Sequence, residues 1–175
     1  MSTEYPQHFP ALVNPWRMAE NQQTLEGSIP LRKLPRLSDL LLVNVAKSDI
    51  QGEVLFTANF GISLDKRQII QLRVQANVPL QCQRSLQVYL HTIDHEVELS
   101  LLDAKQQDDA DDGTDAVLVE SSKLAIAEVV EDELILSLPL VAVNPENPVV
   151  DYHCQDEDYT EPERTNPFAV LQKSK

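Results

Sequence analysis

Histidine side chains are the first candidates for chemistry in this sequence, because a catalytic nucleophile needs a base beside it. The chain contains His8, His91, His95 and His153. His91 and His95 are four residues apart, a spacing that places side chains together on a helix, but the apolar residues around them alternate as they do in a strand. Neither histidine lies in a recognisable serine or cysteine nucleophile signature. The pattern therefore indicates histidines in a strand or turn, and no enzyme is predicted.

The two cysteines are the candidates for metal ligands. Cys82 and Cys154, with His153 beside the second, could ligate zinc. A structural zinc site takes four ligands, commonly arranged as Cys-x₂-Cys pairs. Ser85 stands three residues after Cys82, where such a pair needs its second cysteine. The sequence thus predicts a buried or bystander thiol at Cys82, with no metal and no cofactor.

Carboxylates are abundant, and their spacing decides whether they could form a site. Glu131, Asp132 and Glu133 are consecutive, so on a helix they point in different directions and do not converge on one cation. We expect them on a solvent-exposed helix face. A second acidic stretch at 108–115 could attract calcium loosely, but it lacks the ligand order of an EF-hand loop.

Local signals predict short elements near the start of the chain. Asn14 can cap a helix that begins at Pro15, because the missing N–H of proline costs nothing in the first turn. Trp16, the single tryptophan, is expected to anchor this helix to the core. Residues 24–31 are predicted as a strand, and Pro35 begins a second short helix.

The clearest pattern in the chain is that of a β-hairpin. Alternating positions are apolar over residues 54–64 and again over 70–80, which is the period of a half-buried strand. Asp65, Lys66 and Arg67 interrupt the alternation. Two alternating runs around a short polar break predict two antiparallel strands joined by a turn.

The elements that follow the hairpin are less regular. A third strand is predicted over about 86–101, and its apolar alternation changes phase near His91-Thr92, which predicts a bulge or bend there. Residues 116–119 are predicted as a further short strand. Ser122 is predicted to cap a helix that runs through about Leu136, because apolar residues recur at helical spacing on one face.

Composition and charge bound the class of protein. The 175 residues, with a mass of 19.7 kDa, fit one domain with or without tails. A formal charge of −14 excludes a general nucleic-acid coat, which neutralises phosphates with Lys and Arg. Residues 1–90 carry nine basic and seven acidic side chains, whereas residues 91–175 carry five and 21. This asymmetry suggests a polyelectrolyte-like partner for one face, or a surface that only keeps the protein in solution.

The sequence predicts a soluble cytoplasmic protein. No apolar run approaches the ~20 residues needed to span a bilayer. The N-terminus lacks the basic start and the apolar segment of a secretory signal. Two cysteines are too few for a disulfide scaffold and suit a reducing compartment.

Together these elements predict an α+β fold, with a few helices packed on an antiparallel sheet of hairpin or meander type. One domain is expected over residues 1–143. Residues 106–115 are predicted as a flexible acidic loop, because they hold too little apolar surface to bury themselves. Residues 144–175 are predicted as an extended acidic tail that carries one apolar island at 166–171.

Short motifs in this sequence occur in the order in which a known family carries them. Asn14–Arg17 (NPWR) is similar to an N-terminal Asp-Pro-x-Arg, and the turn Cys82–Ser85 (CQRS) is similar to a Cys-x-Arg-Cys signature. Glu131–Pro139 resembles an acidic helix that ends in Leu-Pro, and a His-Cys pair follows at His153-Cys154. Asn166–Leu171 (NPFAVL) resembles a C-terminal Asn-Pro-Phe-Ala-x-Leu motif. The chain therefore resembles the YceD family, described as large ribosomal RNA subunit accumulation proteins.

This resemblance implies a bacterial factor for the synthesis, processing or stability of large-subunit (23S) rRNA, and it implies no catalytic residue. Ser85 replaces the second cysteine of the family turn, which argues against a metal there. We expect a non-enzymatic ribosome-biogenesis factor whose partners are ribosome-assembly or rRNA-processing proteins, with a basic large-subunit ribosomal protein as one candidate to be escorted. Contact with rRNA, direct or indirect, is an alternative, and an RNA-processing enzyme ranks last.

Each route of contact has its own candidate residues. The candidates for binding a protein partner lie in the turn, the acidic helix and the tail motif: Cys82, Arg84, Glu131, Asp132, Glu133, Asn166, Pro167, Phe168 and Leu171. The candidates for RNA contact are basic side chains of the first half: Arg17, Arg32, Lys33 and Arg36.

Overall fold

A computed structural model describes residues 9–41, 51–103 and 115–146 of the chain. Within these residues, five strands form one sheet in chain order, and short helices accompany them. The predicted α+β class is confirmed. The chain divides into two compact units, Met1–Asn144 and Pro145–Lys175. All elements below belong to the first unit, and only Pro145 and Glu146 of the second are described.

The first elements follow the predicted signals. Helix α1 covers Pro15–Glu20, and the side chain of Asn14 accepts a hydrogen bond from the backbone N–H of Arg17 at 3.1 Å. Strand β1 covers Thr24–Pro30, and a 3₁₀ turn at Leu31–Lys33 follows it directly. Helix α2 covers Pro35–Leu40. Trp16 is partly buried against the core, as expected.

The predicted hairpin is confirmed. Strands β2 (Glu53–Ile62) and β3 (Gln68–Gln81) pair antiparallel, with Val54 opposite Ala76 and Ile62 opposite Gln68. The side chains of alternate residues point to opposite faces of a sheet. One set is therefore buried, and in β2 that set is Val54, Phe56, Ala58 and Phe60.

Strand β4 covers Val88–Asp103, and the predicted bulge at His91-Thr92 is wrong. The register between β3 and β4 is unbroken from Ile69 opposite Ser100 to Gln81 opposite Val88. The change of phase in the sequence has another cause. Val88 and Leu90 are apolar residues that point to the solvent-exposed side of the sheet.

Strand β5 covers Ala116–Val119, at the predicted position. It pairs with β4 in the parallel direction, with Ser100 opposite Ala116 and Asp103 opposite Val119. The sheet is therefore mixed, and the purely antiparallel sheet that the sequence predicted is wrong for this strand. Apolar alternation indicates that a segment is a strand, but it does not indicate whether that strand runs parallel or antiparallel to its neighbour.

Helix α3 covers Ile126–Ser137 and begins three residues later than predicted. Ser122 does not cap it, because Ser122 has a φ of 57° and lies in the preceding turn. The cap position is Ala125, in the extended backbone conformation that an N-cap needs. Ile126, Val130 and Leu134 are buried on one face of α3, as the spacing predicted.

Helices α1 and α3 contact β2, β3 and β4. The helix-covered side of the sheet is called the inner face below, and the opposite side is called the outer face. None of the helices in the described residues is long and apolar enough to cross a membrane. Most of the predicted acidic loop and nearly all of the predicted tail lie outside the described residues.

Candidate protein-interaction surfaces

The Glu131 carboxylate joins helix α3 to helix α2. Glu131 is only 4% exposed, and its Oε1 accepts a hydrogen bond from the backbone N–H of Leu37 at 3.0 Å. Leu34 occupies the N-cap position of α2 and makes no side-chain cap, and Pro35 follows it without an N–H. A helix N-terminus attracts negative charge and needs acceptors for its first N–H groups. Glu131 therefore supplies, from another helix, the acceptor that the sequence of α2 lacks.

Arg36 extends the same contact to the surface. Its Nε donates to Oε2 of Glu131 at 3.3 Å, and its Nη2 contacts Oδ1 of Asp132. Asp132 is exposed, as predicted for the acidic triplet. The prediction is wrong for Glu131 and Glu133, which are buried. The three carboxylates do point in different directions, but two of those directions lead into the protein.

Glu133 faces strand β4 from α3. Its Oε2 lies 3.5 Å from Nε2 of His95, a residue on the inner face of β4. Burial raises the pKa of Glu133, the nearby His95 opposes that rise, and the negative charge of Asp115 adds to it. His91, four residues before His95, packs edge-on against the ring of Tyr89. Across the parts of the chain that the structure describes, no three His, Cys, Asp or Glu side chains gather as metal ligands do.

The turn after β3 encloses Cys82. The backbone N–H of Cys82 donates to the carbonyl of Gln87, and its own carbonyl accepts from Leu86. The backbone N–H of Asn144 points at Sγ from 3.4 Å. This N–H and the Ser85 side chain stabilise a thiolate and lower the pKa of the thiol to about 6, although burial opposes them. The predicted buried thiol is confirmed, and it lies in a polar turn rather than in an apolar core.

A cavity of about 460 Å³ lies beside Cys82, with a largely apolar lining. Leu86 and Leu140 contribute to that lining and are 69% and 100% exposed. Sequence reasoning missed this feature. The sequence did contain a signal for it. Leu86 follows a turn and Leu140 follows Pro139 just after α3, at positions where polar residues are usual.

The outer face of the sheet is polar and acidic. Arg73 on β3 makes a two-pronged ion pair with Asp94 on β4, with Nε–Oδ1 and Nη2–Oδ2 distances of 3.0 and 2.9 Å. Hydrogen bonds from Arg73, and then from Gln75, lower the pKa of Asp94. Glu96 and Glu98 follow Asp94 at alternate positions of β4, and both are exposed. The positive charge of Arg73 therefore balances only part of the negative charge on this face.

Comparison with known proteins identifies the relatives of this chain. A family model described as "Large ribosomal RNA subunit accumulation protein YceD" matches residues 70–175. A protein of the same description from Haemophilus influenzae is 31% identical, in an alignment that covers 93% of each chain. The chain belongs to the YceD family. No solved structure matches it.

The YceD family model begins within β3, at residue 70. The Cys82 turn, helix α3 and the C-terminal motif therefore lie inside the match, whereas α1, β1 and β2 precede it. The resemblance inferred from the motifs is confirmed at the level of the family. Two of those motifs, the Cys82 turn and the acidic part of α3, are held by contacts within the chain.

The structure brings only some of the predicted site residues together. Arg36, Glu131 and Asp132 form one cluster, while Cys82 and Arg84 share the turn after β3, with Arg84 exposed. The basic side chains predicted for RNA contact are all exposed: Arg17, Arg32, Lys33 and Arg36. The predicted contacts of the tail lie outside the described residues: Asn166, Pro167, Phe168 and Leu171.

Proposed function

We propose that this protein supports the accumulation of large-subunit rRNA in the cytoplasm, and that it does so by binding a basic protein rather than by catalysis. The description of the YceD family and of the Haemophilus influenzae relative supports the role in rRNA accumulation. The charge of the exposed surface supports a protein partner. A basic, not yet assembled protein of the large subunit is the class of partner that fits this charge.

The observation that carries the proposal is the acidic outer face of the sheet. Glu26 on β1 and Glu96 and Glu98 on β4 are exposed there, and the nearby Arg73 is paired with Asp94. Such a surface repels the phosphates of RNA. It attracts Lys-rich and Arg-rich segments and raises the rate at which they bind.

The contacts of the ionisable side chains favour a binding protein over an enzyme. The Glu131 carboxylate accepts from the backbone of α2, and Glu133 lies against His95. The Cys82 sulfur accepts from a backbone N–H. Each of these groups contributes to holding the fold together, which is a sufficient role for it without a substrate.

The charge of Arg36 also bears on direct contact with RNA. Its guanidinium contacts both Glu131 and Asp132, so a phosphate would have to compete with two carboxylates for it. Arg32 and Lys33 are exposed next to each other in the 3₁₀ turn, and Arg17 is exposed on α1. These scattered cations support RNA contact less well than the outer face supports a basic protein.

The experiment is to remove the protein from growing cells and measure the ratio of large-subunit to small-subunit rRNA. We expect the ratio to fall and to recover when the wild-type protein is restored. The double variant His91→Ala/His95→Ala should restore it equally well, after circular dichroism has shown that the variant folds. A ratio that stays normal without the protein would contradict the proposed role, and a folded double variant that fails to restore the ratio would favour an enzyme.

A further inference from the structure

Within the part of the chain that the structure describes, strand β4 has one side without a pairing strand along most of its length. On one side, β4 pairs with β3 from Val88 to Ser100. On the other side, it pairs with β5 only from Ser100 to Asp103. Among residues 9–41, 51–103 and 115–146, no strand pairs with Val88–Leu99 on that second side. A long open edge of this kind is a template for another extended chain.

The direction of the backbone groups along this edge follows from one hydrogen bond. The N–H of Ser100 donates across the β5 side to the carbonyl of Asp115 at 2.8 Å. In an antiparallel ladder, residues alternate between pointing both backbone groups at one neighbour and pointing both away from it. Because the register with β3 is unbroken, every second residue before Ser100 turns its N–H and C=O to the open edge: Val88, Leu90, Thr92, Asp94, Glu96 and Glu98.

The same residues place their side chains on the outer face, and their chemistry changes along the strand. Val88 and Leu90 at one end are exposed and apolar. Asp94, Glu96 and Glu98 at the other end are acidic and exposed. The edge therefore presents backbone hydrogen-bonding groups, an apolar end and an acidic end to whatever strand pairs with it.

The charge of this edge selects among possible occupants. A second copy that paired antiparallel along the whole edge would set Glu96 and Glu98 opposite Leu90 and Val88, so the carboxylates would face no cation. Each copy also carries a formal charge of −14, which opposes self-association. A basic segment meets the opposite situation, because its side chains would lie across from carboxylates. Strand β1, at the far edge of the sheet, is a poorer template, because it has seven residues and ends at Pro30.

We propose that strand β4 binds an extended basic segment of a partner protein as an added antiparallel strand. This inference rests on the proposed function and specifies how its basic partner is recognised. In the bound segment, Lys or Arg residues at alternate positions lie opposite Glu98, Glu96 and Asp94, and apolar residues at the following alternate positions lie opposite Leu90 and Val88. Main-chain hydrogen bonds supply the affinity, and the alternate side chains supply the specificity.

The probe is a fluorescent peptide of about twelve residues, which is long enough to span the open edge. It carries Lys at alternate positions, then Leu at alternate positions, with Thr between them. Matched probes carry N-methyl groups on the amides that face β4, Glu in place of Lys, or the reversed order of residues. Fluorescence anisotropy with the full-length protein measures the dissociation constant of each. We expect the N-methylated, acidic and reversed probes to bind at least about tenfold more weakly than the first.

Two variants test the protein side of the same contact. Glu96→Lys/Glu98→Lys should weaken the basic probe by about tenfold or more and reduce the salt dependence of binding. Thr92→Pro should weaken it without a change of charge, because proline removes an N–H that points to the open edge and leaves the ladder with β3 intact. Glu20→Lys/Glu128→Lys changes the charge by the same amount at two exposed residues of α1 and α3, away from the outer face, and is the matched control.

If the N-methylated probe binds as tightly as the unmethylated one, charge attraction acts without strand addition, and the inference is overturned. A reversed probe that binds as well as the first would overturn the antiparallel register. Self-association through β4, detected as a dimer by sedimentation and abolished by Thr92→Pro, would assign the edge to a second copy instead. Failure of all probes, with normal rescue of the rRNA ratio by Thr92→Pro but not by the double lysine variant, would overturn this inference and leave the proposed function standing. Normal rescue by both variants would contradict the proposed basic partner as well.

Discussion

The Glu131 carboxylate of α3 accepts the backbone N–H of Leu37 in the first turn of α2, across 94 positions of sequence. The sequence predicted the acidic triplet at 131–133 as a contact for a protein partner. This hydrogen bond shows that Glu131 instead has a role inside the fold. The carboxylate compensates for a leucine cap followed by a proline in α2. The position of α2 and of the basic 3₁₀ turn before it therefore depends on a residue in a distant helix.

Glu131→Ala is expected to lower the free energy of unfolding by about 1–3 kcal/mol, because it leaves the N–H of Leu37 without an acceptor in a buried position. Glu131→Gln should lower it less, since an amide oxygen can still accept that hydrogen bond. Urea denaturation of the three proteins measures the differences. Asp132→Ala is the control, because exposed ion pairs contribute little. An Asp132→Ala loss as large as that of Glu131→Ala would contradict the capping role.

Gly27 tests the packing of β1 against β2. A Cβ atom at this position would lie 2.8 Å from the ring of Phe56 and 2.8 Å from the ring of Phe9. Gly27→Ala is expected to destabilise the protein by about 1–3 kcal/mol, the usual cost of forcing an extra group into a packed core. Gly61→Ala in β2 meets nothing within 4 Å and should stay within about 0.5 kcal/mol of the wild type. Thermal or urea unfolding that ranks the two variants in the opposite order would contradict the described packing.

Glu133 gives unfolding a dependence on pH. The pKa of Glu133 in the folded protein is raised above the ordinary value of 4.5. As the pH rises past 4.5, the unfolded chain therefore releases the Glu133 proton while the folded chain still holds it. The free energy of unfolding should therefore fall as the pH increases above about 4.5 and through the raised pKa. Glu133→Gln should remove this part of the decline, whereas His95→Ala should enlarge it, since His95 opposes the rise. A decline that Glu133→Gln leaves unchanged would assign it to other groups.

The Cys82 thiol should titrate far below an ordinary thiol. Its pKa is about 6 because a backbone N–H and Ser85 stabilise the thiolate. In a Cys154→Ser background, which leaves Cys82 as the single cysteine, the rate of alkylation by iodoacetamide should reach half its maximum near pH 6. Burial should keep the maximal rate low. Ser85→Ala should move the midpoint upward, and Ser121→Ala, in the turn between β5 and α3, should not. A midpoint that does not change in Ser85→Ala would contradict this account of the turn.

Local features of the sequence predicted much of the sheet. Alternation at period two identifies β2 and β3 and the face that each one buries, because that period is a property of neighbouring residues alone. The exposed leucine at 90 shows the limit of this signal. An apolar residue is buried only when some element covers it. For this reason the change of phase before Ile93 predicts a bulge that the strand does not contain.

The features that could not be predicted depend on distant residues. No residue near Glu131 in the sequence indicates that its carboxylate accepts a hydrogen bond from the backbone N–H of Leu37. The parallel pairing of β5 depends on the path of the chain after β4, which alternation does not record. The open edge of β4 appears only when the strand order is known, because the same residues would be covered in a sheet with a different order.

The most direct test of the central claim is a crosslinked pull-down of the tagged protein from growing cells, divided and washed with and without RNase. Binding to a basic protein predicts that basic large-subunit proteins remain after RNase and that Glu96→Lys/Glu98→Lys depletes them, whereas Glu20→Lys/Glu128→Lys on the helices does not. Recovery of rRNA, with loss of every protein partner after RNase, would contradict the claim. That result would move the site of contact from the outer face to Arg17, Arg32 and Lys33.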